Sequence, residues 1–251
     1  MLEDFLTEKY DYRSTKEAVK THHDVRFDVP LYTIAEAARF LGEPMTSFRN
    51  WARGYEATFR NRPPVMGQAI VTAFEAQRFH PSIPFIGLAE GFVVHTFRRA
   101  GVSLQHIRKA VAVLEREIGI EHALASKRLF TDGASVLYDY AEDEGDEELL
   151  THVVTQQRVL ADVVKDHLRR VTYGSDGWPE KLISPTTARP IVAADPRRGF
   201  GQPIFVRSGV RVEDVLDRIR ADERPSEVAE DMGVALEDIE AVLSAELRRA
   251  A

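Results

Sequence analysis

The sequence contains no cysteine. That absence removes disulfide frameworks, thiolate nucleophiles and cysteine-ligated zinc from consideration. No apolar run approaches the length of a membrane-spanning helix. The first twenty residues, MLEDFLTEKYDYRSTKEAVK, lack the apolar stretch of a secretory signal. A cytoplasmic location without membrane contact is the expectation. Enzyme motifs are missing as well. The neighbours His22 and His23 are poorly placed to share one ion, and His80, His95, His106, His122, His152 and His167 show no HExxH spacing. There is no glycine-rich phosphate loop and no nucleophile elbow. Asp139, Glu142, Asp143, Glu144 and Asp146 lie in one loop-like stretch without the rigid supports a metal cluster needs. No catalytic residue, metal or cofactor is expected, and the chain reads as a non-enzyme.

What is present suits one large domain or two smaller ones: 251 residues, 44% of them hydrophobic, enough to bury real cores. The net charge of −7 hides a segregation along the chain. From Arg26 to Arg128 there are 14 Lys/Arg against 9 Asp/Glu. From Gly209 to Ala251 there are 6 Arg against 12 Asp/Glu, and Asp132 to Leu150 holds 8 acids and no base. A cationic front and an anionic rear point to different partners for different segments.

The most informative stretch is Tyr32 to Gly54, YTIAEAARFLGEPMTSFRNWARG. Thr33 and Glu36 have the T-x-x-E spacing of a capping box. Ile34, Ala37, Ala38 and Leu41 share one helical face. Gly42-Glu43-Pro44 breaks that helix, since glycine accepts a left-handed turn and proline cannot continue the hydrogen-bond ladder. A second helix from Met45 carries Thr46, Ser47, Arg49, Asn50 and Arg53, with no acid between Met45 and Arg53. Such side chains match phosphate oxygens and base edges. The pattern reads as a helix-turn-helix whose second helix contacts DNA. The basic loop Tyr55 to Val65, followed by a short strand at Ile70 to Phe74, would form a wing, with Arg60 and Arg62 at phosphate or the minor groove.

Further along, Phe85 to Ala100 is a mostly apolar helix ended by Gly101. Ser103 caps a second helix, Leu104 to Ile118, with Leu104, Ile107, Val111, Leu114 and Ile118 on one face. Leu129 to Tyr140 carries a hairpin signal around Thr131-Asp132-Gly133. Glu142 to Glu148 reads as a solvated acidic loop, Glu148 to Thr172 as a longer helix, and Tyr173 to Pro190 as a linker with KLIS as a short strand. Pro190 to Val206 has short extended pieces around turns. Three helices follow, near Val212 to Ile219, after Pro225, and from Leu236 to Leu247. The first residues of the last helix, Ala235 to Glu240, carry three acids, which would repel phosphate. This second trihelical unit is therefore assigned to dimerisation or protein contact. The expected division is an N-terminal arm (1–28), a winged-helix DNA-binding domain (29–140), an acidic loop, connecting helix and linker (141–188), and a C-terminal domain (189–251). The fold class is mainly α: a winged helix-turn-helix domain, then a small helix-turn-helix-like trihelical domain with short strands.

Two resemblances sharpen this. Thr33, Ile34, Glu36, Ala37, Leu41, Gly42, Thr46, Arg49 and Trp51, followed by Arg98, Gly101, Val102, Ser103, Leu104 and Ile107, resemble the winged-helix domain of MerR-type regulators over about Leu31 to Leu114. The stretch between Tyr55 and Pro84 is longer than a minimal wing of that family. In the rear, Ile191, Pro196, Gly199, Gly201, Pro203, Ile204, Phe205, Val206, Ser208, Gly209, Val210, Arg211, Val212 and Val215 resemble a small family of antitoxins from VapBC-type toxin–antitoxin modules, over about Arg189 to Leu247. Arg207-Ser208-Gly209 departs from that family's usual Gly-Thr pair. The combination resembles a larger VapB-type antitoxin.

That resemblance implies a protein that inhibits a VapC-type PIN-domain ribonuclease and binds operator double-stranded DNA to repress its own operon. It also implies a homodimer or a hetero-oligomer with toxin. A PIN nuclease holds Mg²⁺ among clustered carboxylates, and an arginine fork can pair with those carboxylates and compete with the metal. Candidates for toxin contact are Arg169, Arg170, Arg189, Arg197, Arg198, Arg207 and Arg211, and Phe200 and Phe205 suit an interface anchor or core packing equally. The competing expectation is a MerR-like transcriptional regulator responding to a small ligand.

Overall fold

The computed structural model describes residues 24–59, 62–75, 77, 79–119, 121–131 and 169–250. The front begins with a single turn, α1 (Val25–Asp28), capped by Asp24. Then come α2 (Ile34–Leu41) and α3 (Met45–Arg53). Both halves of the expected capping box are made. Thr33 Oγ1 accepts the Glu36 N–H at 3.1 Å, and Glu36 Oε2 accepts the Thr33 N–H at 2.7 Å. Gly42 ends α2 in the left-handed conformation, φ 70°.

The wing differs from expectation. A two-stranded antiparallel ribbon forms from β1 (Tyr55–Phe59) and β2 (Arg62–Gly67), within and just beyond the stretch read as a loop. Pro63 and Pro64 are tolerated because they fall at the irregularity between the Ala57–Val65 and Phe59–Arg62 pairs, where the ladder is interrupted. Ile70 to Phe74 is not a strand. Its apolar residues look strand-like, but its backbone donors are taken elsewhere. The N–H groups of Ile70 and Val71 both bond the Trp51 carbonyl at the end of α3, at 2.8 and 3.1 Å. The Thr72 N–H goes to the Glu90 carboxylate at 2.6 Å. A helix end and a carboxylate outbid a ladder.

Beneath the helix-turn-helix lies α4 (Phe85–Arg99), buried along nearly its whole length from Phe85 to Thr96. A helix apolar on every side must be covered on every side. Its Gly91 lets α3 approach: a Cβ there would stand 2.6 Å from Cε2 of Phe48. The next helix, α5 (Leu104–Ile118), starts at the Ser103 cap and stops at Gly119, as expected. The hairpin expected from Leu129 does not begin there: Arg128–Thr131 is a helical turn, α6. The remainder of that hairpin, the acidic run and most of the helix expected from Glu148 fall outside the described residues. That helix ends by Arg170, because Val171 and Thr172 already belong to a strand.

The rear carries a four-stranded antiparallel sheet in the order β3 (Val171–Tyr173), β4 (Pro179–Ile183), β5 (Val192–Ala194), β6 (Ile204–Phe205). The Tyr173 to Pro190 stretch is therefore more than a linker. Leu182 is fully buried, and β4 is bonded on both edges. Its turn residues suggested a linker; its apolar positions, Leu182 and Ile183, pack. Three helices close the chain, α7 (Val212–Arg220), α8 (Pro225–Met232) and α9 (Leu236–Ala250). Val215, Leu216, Val228, Ile239 and Val242 form their shared core. The mainly α reading holds.

Front and rear are packed on each other. Tyr32, fully buried, donates its hydroxyl to the Gly201 carbonyl at 2.6 Å. Ser184 Oγ donates to the Phe40 carbonyl at 2.6 Å, satisfying one of the acceptors that the end of α2 leaves free. The Arg39 guanidinium bridges Glu213 at 2.9 Å and Glu246 at 3.0 Å. Arg26, buried on α1, joins Asp24 to Asp176, and the Phe27 and Trp178 rings meet edge to face at 5.3 Å. Both acids are held below the usual carboxylate range, chiefly by their hydrogen bonds to Arg26. One hydrophobic core runs through both halves.

Candidate nucleic-acid interface

The second helix of the helix-turn-helix is two-faced. Phe48, Trp51 and Ala52 are buried against α2 and α4. The Phe48 and Trp51 rings pack at 5.9 Å. On the other face Thr46, Arg49 and Arg53 are exposed, with Ser47 and Asn50 half-buried at its margin. Neither Arg49 nor Arg53 has an acidic partner among the described residues. Two guanidinium groups, a hydroxyl pair and an amide thus stand on one helical face with no carboxylate among the described residues to neutralise them. This is the composition that contacts a polyanion. Arg62 lies in β2, one strand along from this helix, and Arg60 falls outside the described residues.

The helix is held by contacts that sequence patterns do not announce. Glu43, in the turn between α2 and α3, meets Nδ1 of His95 on α4 at 2.5 Å. Glu90 is buried on α4 and accepts from Thr72 N–H, the Thr72 hydroxyl and His122. This carboxylate adds to the Trp51 carbonyl in tying down the loop that leaves the wing. The Glu90 hydrogen bond raises the His122 imidazole above its ordinary value, against the opposing effect of burial. Arg108 on α5 lies over the Tyr55 ring and donates Nε–H to the Gln68 carbonyl at 2.8 Å. It braces the wing base. The only sequence signals for these roles were the polar residues themselves, in otherwise apolar surroundings.

In the rear, the candidate cations are mostly engaged. Arg189 and Arg207 both reach the N-terminal acids of α9, at 3.3 and 3.1 Å from Glu237. They pull the Glu237 carboxyl below its ordinary range. Arg197 pairs with Glu180 at 3.0 Å, Arg211 with Asp214 at 3.6 Å, and Arg170 donates to the Ser184 carbonyl at 2.8 Å. Arg169 and Arg198 are exposed without an acidic partner among the described residues. Of the two candidate anchors, Phe205 is buried in the core, whereas Phe200 is 88% exposed with a left-handed backbone, φ 54° and ψ 34°. Such a conformation costs a non-glycine residue roughly 1–2 kcal/mol.

Comparison with known proteins fits this arrangement. Residues 30–111 match a domain model described as "Putative DNA-binding HTH domain", and residues 192–244 match one described as "Protein of unknown function (DUF433)". Over 230 residues the chain is 41% identical to the "Putative antitoxin VapB45" of Mycobacterium tuberculosis, covering 88% of this chain and 96% of that protein. The chain belongs to the VapB45 antitoxin family. A second relative from the same organism, "Uncharacterized protein Rv2308", is 25% identical over 218 residues, 85% of this chain and 88% of its own. The crystal structure of Rv2018 from M. tuberculosis superposes with a TM-score of 0.71 at 38% identity, covering 87% of this chain and 99% of that one. The domain match spans α2, α3, the wing, α4 and most of α5. It names a helix-turn-helix and no MerR relationship. Among the described residues no helix is long and apolar enough to cross a membrane.

Proposed function

We propose that this chain is the antitoxin of a type II toxin–antitoxin pair, working without catalysis. It binds and inhibits a PIN-domain ribonuclease toxin, and it binds operator DNA to repress its own operon. Family membership supports the toxin-directed half. The observation that carries the DNA-directed half is the exposed, acid-free face of α3, with Arg49 and Arg53 unpaired among the described residues. In this reading α3 lies in the major groove, with Thr46, Ser47 and Asn50 toward base edges and Arg49 and Arg53 on the phosphates of its walls, and Arg60 and Arg62 of the wing meet the flanking backbone. A dimer, or a hetero-oligomer with toxin, would read two half-sites about one helical turn apart.

A small-ligand regulator is less well supported. The cavity between α2 and the rear unit is about 250 Å³, and its walls mix apolar side chains such as Phe40, Val192 and Val242 with the charged Glu36, Arg39, Arg211, Glu213 and Glu246. That is small for a drug-like ligand, which needs about 300 Å³ or more with mostly apolar walls, and Arg39 is already paired with Glu213 and Glu246.

The test has two arms. The purified chain is titrated onto a DNA fragment from its own promoter, and it is co-expressed with the ribonuclease encoded beside it. The reading expects a salt-sensitive complex in the first arm and suppressed RNase activity in the second. Full toxicity under co-expression contradicts the antitoxin role.

A further inference from the structure

Gly199, Phe200 and Gly201 form a turn in which every residue has positive φ, at 56°, 54° and 78°. Glycine accepts this freely; phenylalanine does not. The turn closes on itself through Gly201 N–H to the Arg198 carbonyl and Gln202 N–H to the Gly199 carbonyl, both at 3.0 Å. It is also bolted to the front half. The Gly201 carbonyl accepts the buried Tyr32 hydroxyl, and Gln202 donates to the Leu31 carbonyl at 3.2 Å. A Cβ on Gly201 would stand 2.8 Å from Leu31 Cδ1, so the turn sits tight on that segment. The result is a rigid mount that holds an aromatic ring in water, two unfavourable choices at one residue. Folding alone would favour glycine or asparagine there. Strain retained in an over-determined setting marks a functional position, and a rigid, exposed aromatic is the residue type that dominates protein interfaces.

Resting on the antitoxin reading, we propose that Phe200 is the anchor by which the chain grips its toxin. The ring enters an apolar pocket on the ribonuclease, and Arg198 beside it pairs with a carboxylate at the pocket's rim. The surroundings favour a protein over nucleic acid. Arg197 is neutralised by Glu180 and Arg211 lies near Asp214, leaving Arg198, two residues before Phe200 and with its guanidinium against Gly209, as the arginine of this turn with no acidic partner among the described residues. A mixed rim with one free arginine suits a desolvated protein contact, whereas phosphate backbones require a run of unpaired cations. The C-terminal domain thus holds toxin through a preformed knob.

The test uses the full chain and the ribonuclease encoded beside it. Phe200→Asn keeps a residue that tolerates the left-handed turn and removes the ring. Toxin affinity is measured by calorimetry, with the melting temperature and promoter binding as controls. The expected result is a loss of about 100-fold or more in affinity, the size of an interface hot spot, with both controls unchanged. Arg198→Glu should weaken toxin binding about tenfold, most strongly at low salt. If the wild-type chain binds toxin and Phe200→Asn binds equally well, the anchor is refuted while the antitoxin reading stands. If the wild-type chain does not bind toxin, both fall. Loss of promoter binding or of self-association in place of toxin binding overturns the proposal in favour of DNA or a second copy as the ring's partner.

Discussion

Removing one oxygen at Tyr32 tests whether front and rear act as one body. The hydroxyl is buried and donates to the Gly201 carbonyl at 2.6 Å, across 169 residues of sequence. Tyr32→Phe keeps the ring and its packing but leaves that carbonyl unsatisfied in a buried setting. An orphaned buried acceptor costs about 1–3 kcal/mol. For a chain of this size that corresponds to a drop of roughly 2–12 °C in melting temperature. Ser184→Ala, which frees the Phe40 carbonyl, should act in the same range. Differential scanning calorimetry of the wild-type chain and both variants is the assay. One transition, shifted down in each variant, is the expected outcome. Two transitions in the wild-type chain, or variants that melt unchanged, would show that the halves do not share a core and would refute the reasoning.

Three further outcomes follow from the same contacts. Gly91→Ala pushes a methyl into the Phe48 ring, so it should cost about 1–3 kcal/mol by overpacking and weaken DNA binding, since Phe48 seats α3; urea denaturation and promoter titration check both. His122 is raised above its unfolded value of 6.5 by Glu90, so its charged pair stabilises fully below that pH and fades as pH rises through the raised value. The melting-temperature gap between the wild-type chain and His122→Gln should therefore shrink from acid to alkaline buffer; a constant gap contradicts the pairing. Arg108→Ala removes the brace beneath Tyr55 and Gln68, so hydrogen exchange in β1 and β2 should accelerate while α7 to α9 stay protected.

The helix-turn-helix was legible because its signals are local. The T-x-x-E spacing, the Gly42 stop and the acid-free run after Met45 all lie within a few residues of what they control. The wing was misplaced because its alternative depended on distant partners. Whether Ile70 to Phe74 forms a strand is decided by the Trp51 carbonyl and the Glu90 carboxylate, neither of which a local pattern displays. The same holds for the sheet. Leu182 and Ile183 sit in a polar, turn-rich stretch, and only pairing with Ala193 and Ala194 makes β4 a central strand. Charge counting separated a basic front from an acidic rear. It did not foresee that Arg189 and Arg207 would face Glu237, nor that Arg39 would tie the two halves together through Glu213 and Glu246. The sequence shows Phe200 as an aromatic, but its left-handed mount is a backbone fact that residue types alone do not state.

The most direct measurement is promoter binding across a salt series, for the wild-type chain and an Arg49→Gln, Arg53→Gln double variant. If α3 grips phosphate through these two side chains, the wild-type log–log plot is steep, and a dimeric variant loses about 3 to 4 units of slope along with most of its affinity. A variant that binds the promoter as the wild-type chain does, with the same slope, would contradict the account.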